Sequence, residues 1–92
     1  MPQLFKFGGY VIYFWSNESK PLEPVHVHVA YGKPSKNGTK IWITSESRGL
    51  LANNNSGIPA RQLNYIIRFI EANSGIILEN WISQFGEISY YC

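Results

Sequence analysis

The chain has a single cysteine, Cys92, and no aspartate. One thiol excludes an intrachain disulfide and a thiolate metal cluster, and such sparing use fits a reducing compartment. Without aspartate a Ser/His/Asp triad cannot be assembled, and every side-chain carboxylate must come from one of six glutamates. Histidine is almost as scarce, present only as His26 and His28. No apolar run approaches the roughly 18 residues of a membrane span. Met1–Tyr10, broken by Lys6 and a glycine pair, lacks a signal-peptide core. We therefore expect a cytoplasmic protein without membrane contact. There is also no dense basic stripe. Residues 1–50 hold six basic against three acidic residues and residues 51–92 two against three, a mild N-terminal excess that falls short of a strong nucleic-acid binder.

What the chain does have is apolar and aromatic. At 92 residues it is long enough for one small domain, 1–92. A hydrophobic content of 45%, with 15% aromatic residues, supplies large surfaces for a packed core.

Leu4–Phe7 reads as a short strand that stops at Gly8-Gly9, a pair suited to a tight hairpin. Tyr10–Trp15 is β-branched or aromatic at every position, as in a strand covered on both faces. A polar segment with two prolines, 16–24, then delivers the chain in extended geometry. It enters Val25-His26-Val27-His28-Val29. Alternation puts both histidines on one face and the three valines on the other. Lys33–Gly38 contains Pro34 and Asn37-Gly38, a strong hairpin signal, so Thr39–Thr44 pairs back with Lys40, Trp42 and Thr44 on one side. Arg48–Ala52 is a further candidate strand. Pro59 suits the first turn of a helix, and Leu63, Ile66, Ile67 and Ile70 carry it to about residue 72. After Asn73-Ser74-Gly75, Ser74 can cap a second helix with the stripe Ile77, Leu78, Trp81, Ile82 and Phe85, ending near Gly86. The tail 87–92 can stay helical, add an edge strand or fray. The expected fold is α+β: an antiparallel sheet of three to five strands followed by two helices packed on one face. The valine and isoleucine faces meet the helices, and the other face shows His26, His28, Lys40, Trp42 and an aromatic row, Tyr13 and Trp15.

Phe7-Gly8-Gly9-Tyr10, Phe14-Trp15-Ser16-Asn17-Glu18, Glu23-Pro24-Val25-His26-Val27-His28-Val29, Lys40-Ile41-Trp42, Glu79-Asn80-Trp81 and Phe85-Gly86 together resemble the small prokaryotic domain-of-unknown-function family four-one-six-zero. The resemblance runs from about residue 2 to residue 86. Two positions depart from it: Val25 stands where the family often has a second proline, and helix one opens with Pro59 in place of a serine or threonine cap. Members are often encoded beside another small protein, so the resemblance implies a partner in a toxin–antitoxin-like pair.

Three chemistries are open to the histidine pair. Neutral imidazoles two apart on a strand can converge on a divalent metal, with Glu18 or Glu23 as the carboxylate. The same pair, roughly 6 to 7 Å apart along the strand, can flank a phosphodiester as general acid and base. Lys40 would neutralise the phosphate and Trp42 or Tyr13 would stack a base, giving a metal-independent ribonuclease. The third reading makes His26 and His28 solvated strand residues bonded across the sheet to Asn17, Glu18 or Thr44, with Trp42, Tyr13 and Trp15 buried in a dimer or against the tail. Ser16-Asn17-Glu18 then ends its strand as an Asx-type turn. The expected function is a binding module that contacts a small protein partner or a second copy, and RNA, through Asn17, Glu18, Lys40, Trp42 and Tyr13. The alternatives are the ribonuclease on His26 and His28 and a metal site on His26, His28 and Glu18, the divalent ion being the one cofactor in view. The residues alone do not assign a reaction.

Overall fold

The Gly8-Gly9 pair takes φ of +56° and +89°, left-handed at both central positions as a type I′ turn requires. It folds β1 (Gln3–Phe7) back on β2 (Tyr10–Tyr13). β3 (His26–Tyr31), β4 (Thr39–Ile43) and β5 (Gly49–Asn53) follow, each antiparallel to its neighbour, in the sheet order β1-β2-β3-β4-β5. Helices α1 (Ala60–Ala72) and α2 (Ser74–Phe85) come next. The computed structural model describes residues 3–17 and 21–92. The α+β architecture is as expected, with the sheet at five strands and the Arg48–Ala52 candidate present one residue later.

One core joins the inner sheet face to both helices. Ile12, Val27, Val29, Ile41 and Ile43 of the strands, with Val25 just before β3, pack against Leu63, Ile66 and Ile70 of α1 and Ile77 and Trp81 of α2. The i, i+3, i+7 spacing in α1 is what turns these three side chains inward together. Ile82, placed in the apolar stripe by its spacing, is instead 46% exposed, because α2 buries only Ser74, Ile77 and Trp81.

Local details differ from the sequence reading for identifiable reasons. β2 ends at Tyr13, two residues early, where its ladder with β3 stops at His28; Phe14 keeps the inward side of Ile12 and packs against Trp81 (ring centroids 5.0 Å) and Phe85 (5.7 Å). Asn73, not Ser74, sits at the helix junction. Its Nδ2 donates to Phe69 O at 2.8 Å to close α1, while its carbonyl accepts from Ile76 N and Ile77 N to start α2. A single residue can therefore join two helices. Gly86, at φ +76°, ends α2 by donating to Ile82 O, the left-handed stop expected there.

The hairpin between β3 and β4 forms, but not as an Asn37-Gly38 primed turn. The loop spans residues 32–38, and its positive φ belongs to Gly32. Gly38 is required for space: a Cβ there would lie 2.3 Å from the Tyr13 hydroxyl. The tail neither frays nor turns helical. Val25 N–H donates to Ser89 O and Ser45 N–H to Cys92 O, which ties it across the ends of β3 and β4.

Candidate functional site

The outer sheet face holds the histidines, set there by the pleat. Register pairs Tyr13 with His28, His28 with Lys40 and His26 with Trp42. The bond Ile43 N–H to Val25 O makes the His26/Trp42 and His28/Lys40 pairs the close, non-hydrogen-bonded kind, whose side chains stand nearest. An unbroken run of ring contacts results. Trp15 meets Tyr13 edge-on at 5.3 Å, Tyr13 meets His28 at 5.5 Å, His28 meets His26 at 5.0 Å and His26 meets Trp42 at 5.5 Å. Tyr91 of the tail stacks on Trp42 at 4.7 Å with the planes 3° apart.

Every sequence reading left the histidines open, and much of this face is closed. His26 is 1% exposed and Tyr13 fully buried. Loops cause this. The 32–38 loop folds over Tyr13, whose hydroxyl donates to Ser35 O at 2.6 Å and accepts from Ser35 N–H at 2.9 Å. Val11 and Ala30 are sealed beside it, with Trp15 half-buried against them. The ladder with β2 stops at His28, so Trp81 of α2 comes against His26, ring centroids 5.3 Å apart. Nδ1 of His26 lies 2.9 Å from Pro24 O, a contact that holds the ring as a donor at that nitrogen.

Lys40 is not poised for a phosphate. Its ammonium bonds the Glu23 carboxylate and lies 4.2 Å above the Trp42 ring, two contacts that neutralise and occupy the charge. Trp42 itself has the tail on one face, as one of the sequence readings allowed. Asn17 is exposed in the turn after β2 and, with Trp15 and Lys36, lines a surface depression of about 410 Å³. Glu18 lies outside the described residues. Among those residues no third histidine, cysteine or glutamate joins His26 and His28 in a metal-sized cluster, and Glu23 is engaged by Lys40.

The structure therefore joins Tyr13, His28, His26, Trp42 and Lys40 on one face and sets Asn17 apart. Sequence reasoning did not name Ser35, Trp81 or Tyr91 as parts of this surface, since each reaches it from another loop, helix or the tail, and it read Gly38 as a turn residue only. It also missed that β5, at the sheet edge, is uncharged. Leu50 pairs with Trp42 and so shares the outer face, and Leu50 and Leu51 are 39% and 41% exposed. Among the described residues no helix is long and apolar enough to cross a membrane.

Comparison with known proteins agrees with the resemblance carried by these residues. A family model described as Domain of unknown function (DUF4160) matches residues 9–82, which takes in β2 to β5, both histidines, α1 and most of α2. No curated protein matches the chain and no solved structure matches it. With that match across most of its length, the chain belongs to the DUF4160 family.

Proposed function

We propose that the protein is the binding member of a two-protein, toxin–antitoxin-like pair, and that it takes its small protein partner as an added strand on β5. The observation that carries this reading is the exposed edge Gly49-Leu50-Leu51-Ala52-Asn53, which has no charge and no proline. Natural sheets usually blunt such an edge with lysine or proline. The opposite edge, β1, carries Lys6. Thr44 N–H donates to Arg48 O, so alternation turns Gly49 and Leu51 away from β4. Gly49 N–H is taken up by the Glu71 carboxylate at 2.9 Å, while the N–H and C=O of Leu51 face outward. A partner strand would bond them and cover Leu50 beside Trp42 on one face and Leu51 on the other.

The burial of His26 counts against the ribonuclease reading, since a general acid or base must reach its substrate. RNA held by Lys40 and Trp42 is likewise disfavoured by the Glu23 and Tyr91 contacts.

The test is co-expression with the small protein encoded beside the gene, read by size-exclusion chromatography with light scattering. Wild type is expected to form a stable 1:1 complex. Leu51→Pro removes an outward N–H without touching the β4 ladder, so it should keep the circular dichroism spectrum and weaken the complex at least tenfold. A protein that ignores its neighbour, or a complex indifferent to Leu51→Pro, refutes the proposal. A homodimer that Leu51→Pro dissolves would instead identify a second copy as the occupant of this edge. Whether the pair acts as toxin and antitoxin is read from growth when each protein is expressed alone.

A further inference from the structure

On the far side of the molecule from the histidines, α1 presents Arg61, Asn64, Tyr65 and Arg68 at i, i+3, i+4 and i+7, all exposed, a spacing that aligns them on one stripe. They line a depression of about 270 Å³. Tyr65, 55% exposed, is also a wall of a second, mostly apolar depression of about 160 Å³, formed with Phe7, Gly8, Tyr10, Gln62 and Ile66. A cationic hollow and an apolar hollow thus share one aromatic ring.

The charge there is uncompensated. Among the described residues neither Arg61 nor Arg68 has an ion-pair partner. Glu71, the acid nearest to them along the helix, is turned to Arg48 Nε (3.3 Å) and Gly49 N–H (2.9 Å). The first turn of α1 holds no acid, and Pro59 makes no side-chain cap, so the positive end of the helix adds to Arg61. Both hollows are smaller and shallower than the sites that enclose a small metabolite, which favours a polymer laid across them.

We propose that this stripe binds single-stranded RNA. The arginines, two helical turns or about 10 Å apart, take phosphates, and a base stacks on Tyr65 toward the apolar hollow. Tyr10 donates to Gln62 Oε1 at 2.7 Å, which orients that amide and leaves its N–H donors for a base edge. Phosphate and stacking subsites side by side match the alternation of phosphate and base along a single strand, which favours RNA over an acidic peptide or an anionic membrane. The site is independent of the β5 edge, so either proposal can fail alone.

The experiment is fluorescence anisotropy of a labelled mixed-sequence 12-nucleotide RNA with the full chain across a salt series. Wild type is expected to bind at low salt. The double variant Arg61→Ala/Arg68→Ala should lower the slope of log K against log salt by about 1.4, at roughly 0.7 per phosphate contact. Tyr65→Ala should lose about tenfold, within the range for one stacked base, and Tyr65→Phe should stay within twofold. Lys33→Ala, an exposed hairpin lysine, should bind like wild type and controls for charge alone. All these side chains are exposed, and melting curves confirm that the variants are folded. The proposal is overturned by absence of binding, by equal losses for Lys33→Ala and the arginine pair, or by indifference to Tyr65→Ala. It is also overturned if poly-glutamate or phosphatidylserine vesicles bind through the same residues as tightly as RNA.

Discussion

Tyr13 and Gly38 should be energetically coupled, and the coupling has a sign that a packing argument fixes. Removing the hydroxyl with Tyr13→Phe deletes two hydrogen bonds, to Ser35 O and from Ser35 N–H. At about 0.5–1.5 kcal/mol net for each, the expected cost is about 2 kcal/mol. For a domain of this size that lowers Tm by roughly 8–16 °C. Gly38→Ala places a Cβ 2.3 Å from the same hydroxyl and 3.3 Å from the His28 Cβ. The ring must then move out of a fully buried site, and overpacking of this kind costs about 1–3 kcal/mol, in addition to the bonds to Ser35. In the double variant the hydroxyl is gone, so most of the clash is relieved and only the milder contacts to the ring Cζ and the His28 Cβ, both at 3.3 Å, remain. The two costs should therefore sum to at least about 1 kcal/mol more than the double variant loses, well beyond the 0.3–0.5 kcal/mol scatter of independent sites. Urea unfolding of the four proteins, followed by circular dichroism, supplies the cycle. Additivity within 0.5 kcal/mol, or a Gly38→Ala variant as stable as wild type, would refute the closed arrangement of the outer face.

Other expectations follow from burial and stacking. Ile66→Ala empties a fully buried site between α1 and the sheet and should cost about 2–5 kcal/mol, while Ile82→Ala on the exposed side of α2 should stay within about 0.5 kcal/mol; equal effects in denaturant titrations would contradict the helix orientation. Tyr91→Ala removes the ring stacked on Trp42 and should cost about 0.5–1.5 kcal/mol beyond the lost area. It should also make Trp42 more accessible to acrylamide, measured in a protein whose other tryptophans are replaced by phenylalanine; unchanged quenching would place the tail elsewhere. The Leu51→Pro and Arg61→Ala/Arg68→Ala experiments address the two binding surfaces separately.

Much of this fold was legible from local pattern. Alternation along Val25–Val29 placed the valines in the core and the histidines opposite. Gly8-Gly9 announced its turn, and the spacing of Leu63, Ile66 and Ile70 gave α1 its buried face. These features depend on near neighbours in the chain, and near neighbours are what periodicity reports. The site was legible only in its membership. His26, His28, Tyr13, Lys40 and Trp42 do share a face, but the histidines are not open as each reading had them, because what covers the face comes from elsewhere in the chain: Ser35 from the next hairpin, Trp81 from α2 and Tyr91 from the tail. The charge balance by halves says nothing of which charges are paired. The C-terminal half is net acidic, yet among the described residues its Arg61 and Arg68 on α1 have no ion-pair partner, because Glu71 is drawn off by Arg48 and Gly49.

The sequence by itself determined which strand residues alternate inward, the Gly8-Gly9 turn, an antiparallel sheet of three to five strands followed by two helices, and the family. Those follow from side-chain period, backbone freedom at glycine and proline, and the spacing of apolar residues. Only the tertiary structure decided that the histidine face is lidded, that Lys40 is already neutralised by Glu23, and that the uncompensated charge and the bare edge lie elsewhere. Burial and ion pairing are set by groups brought together across the fold, and no local pattern records which loop, helix or tail will arrive to cover a given side chain.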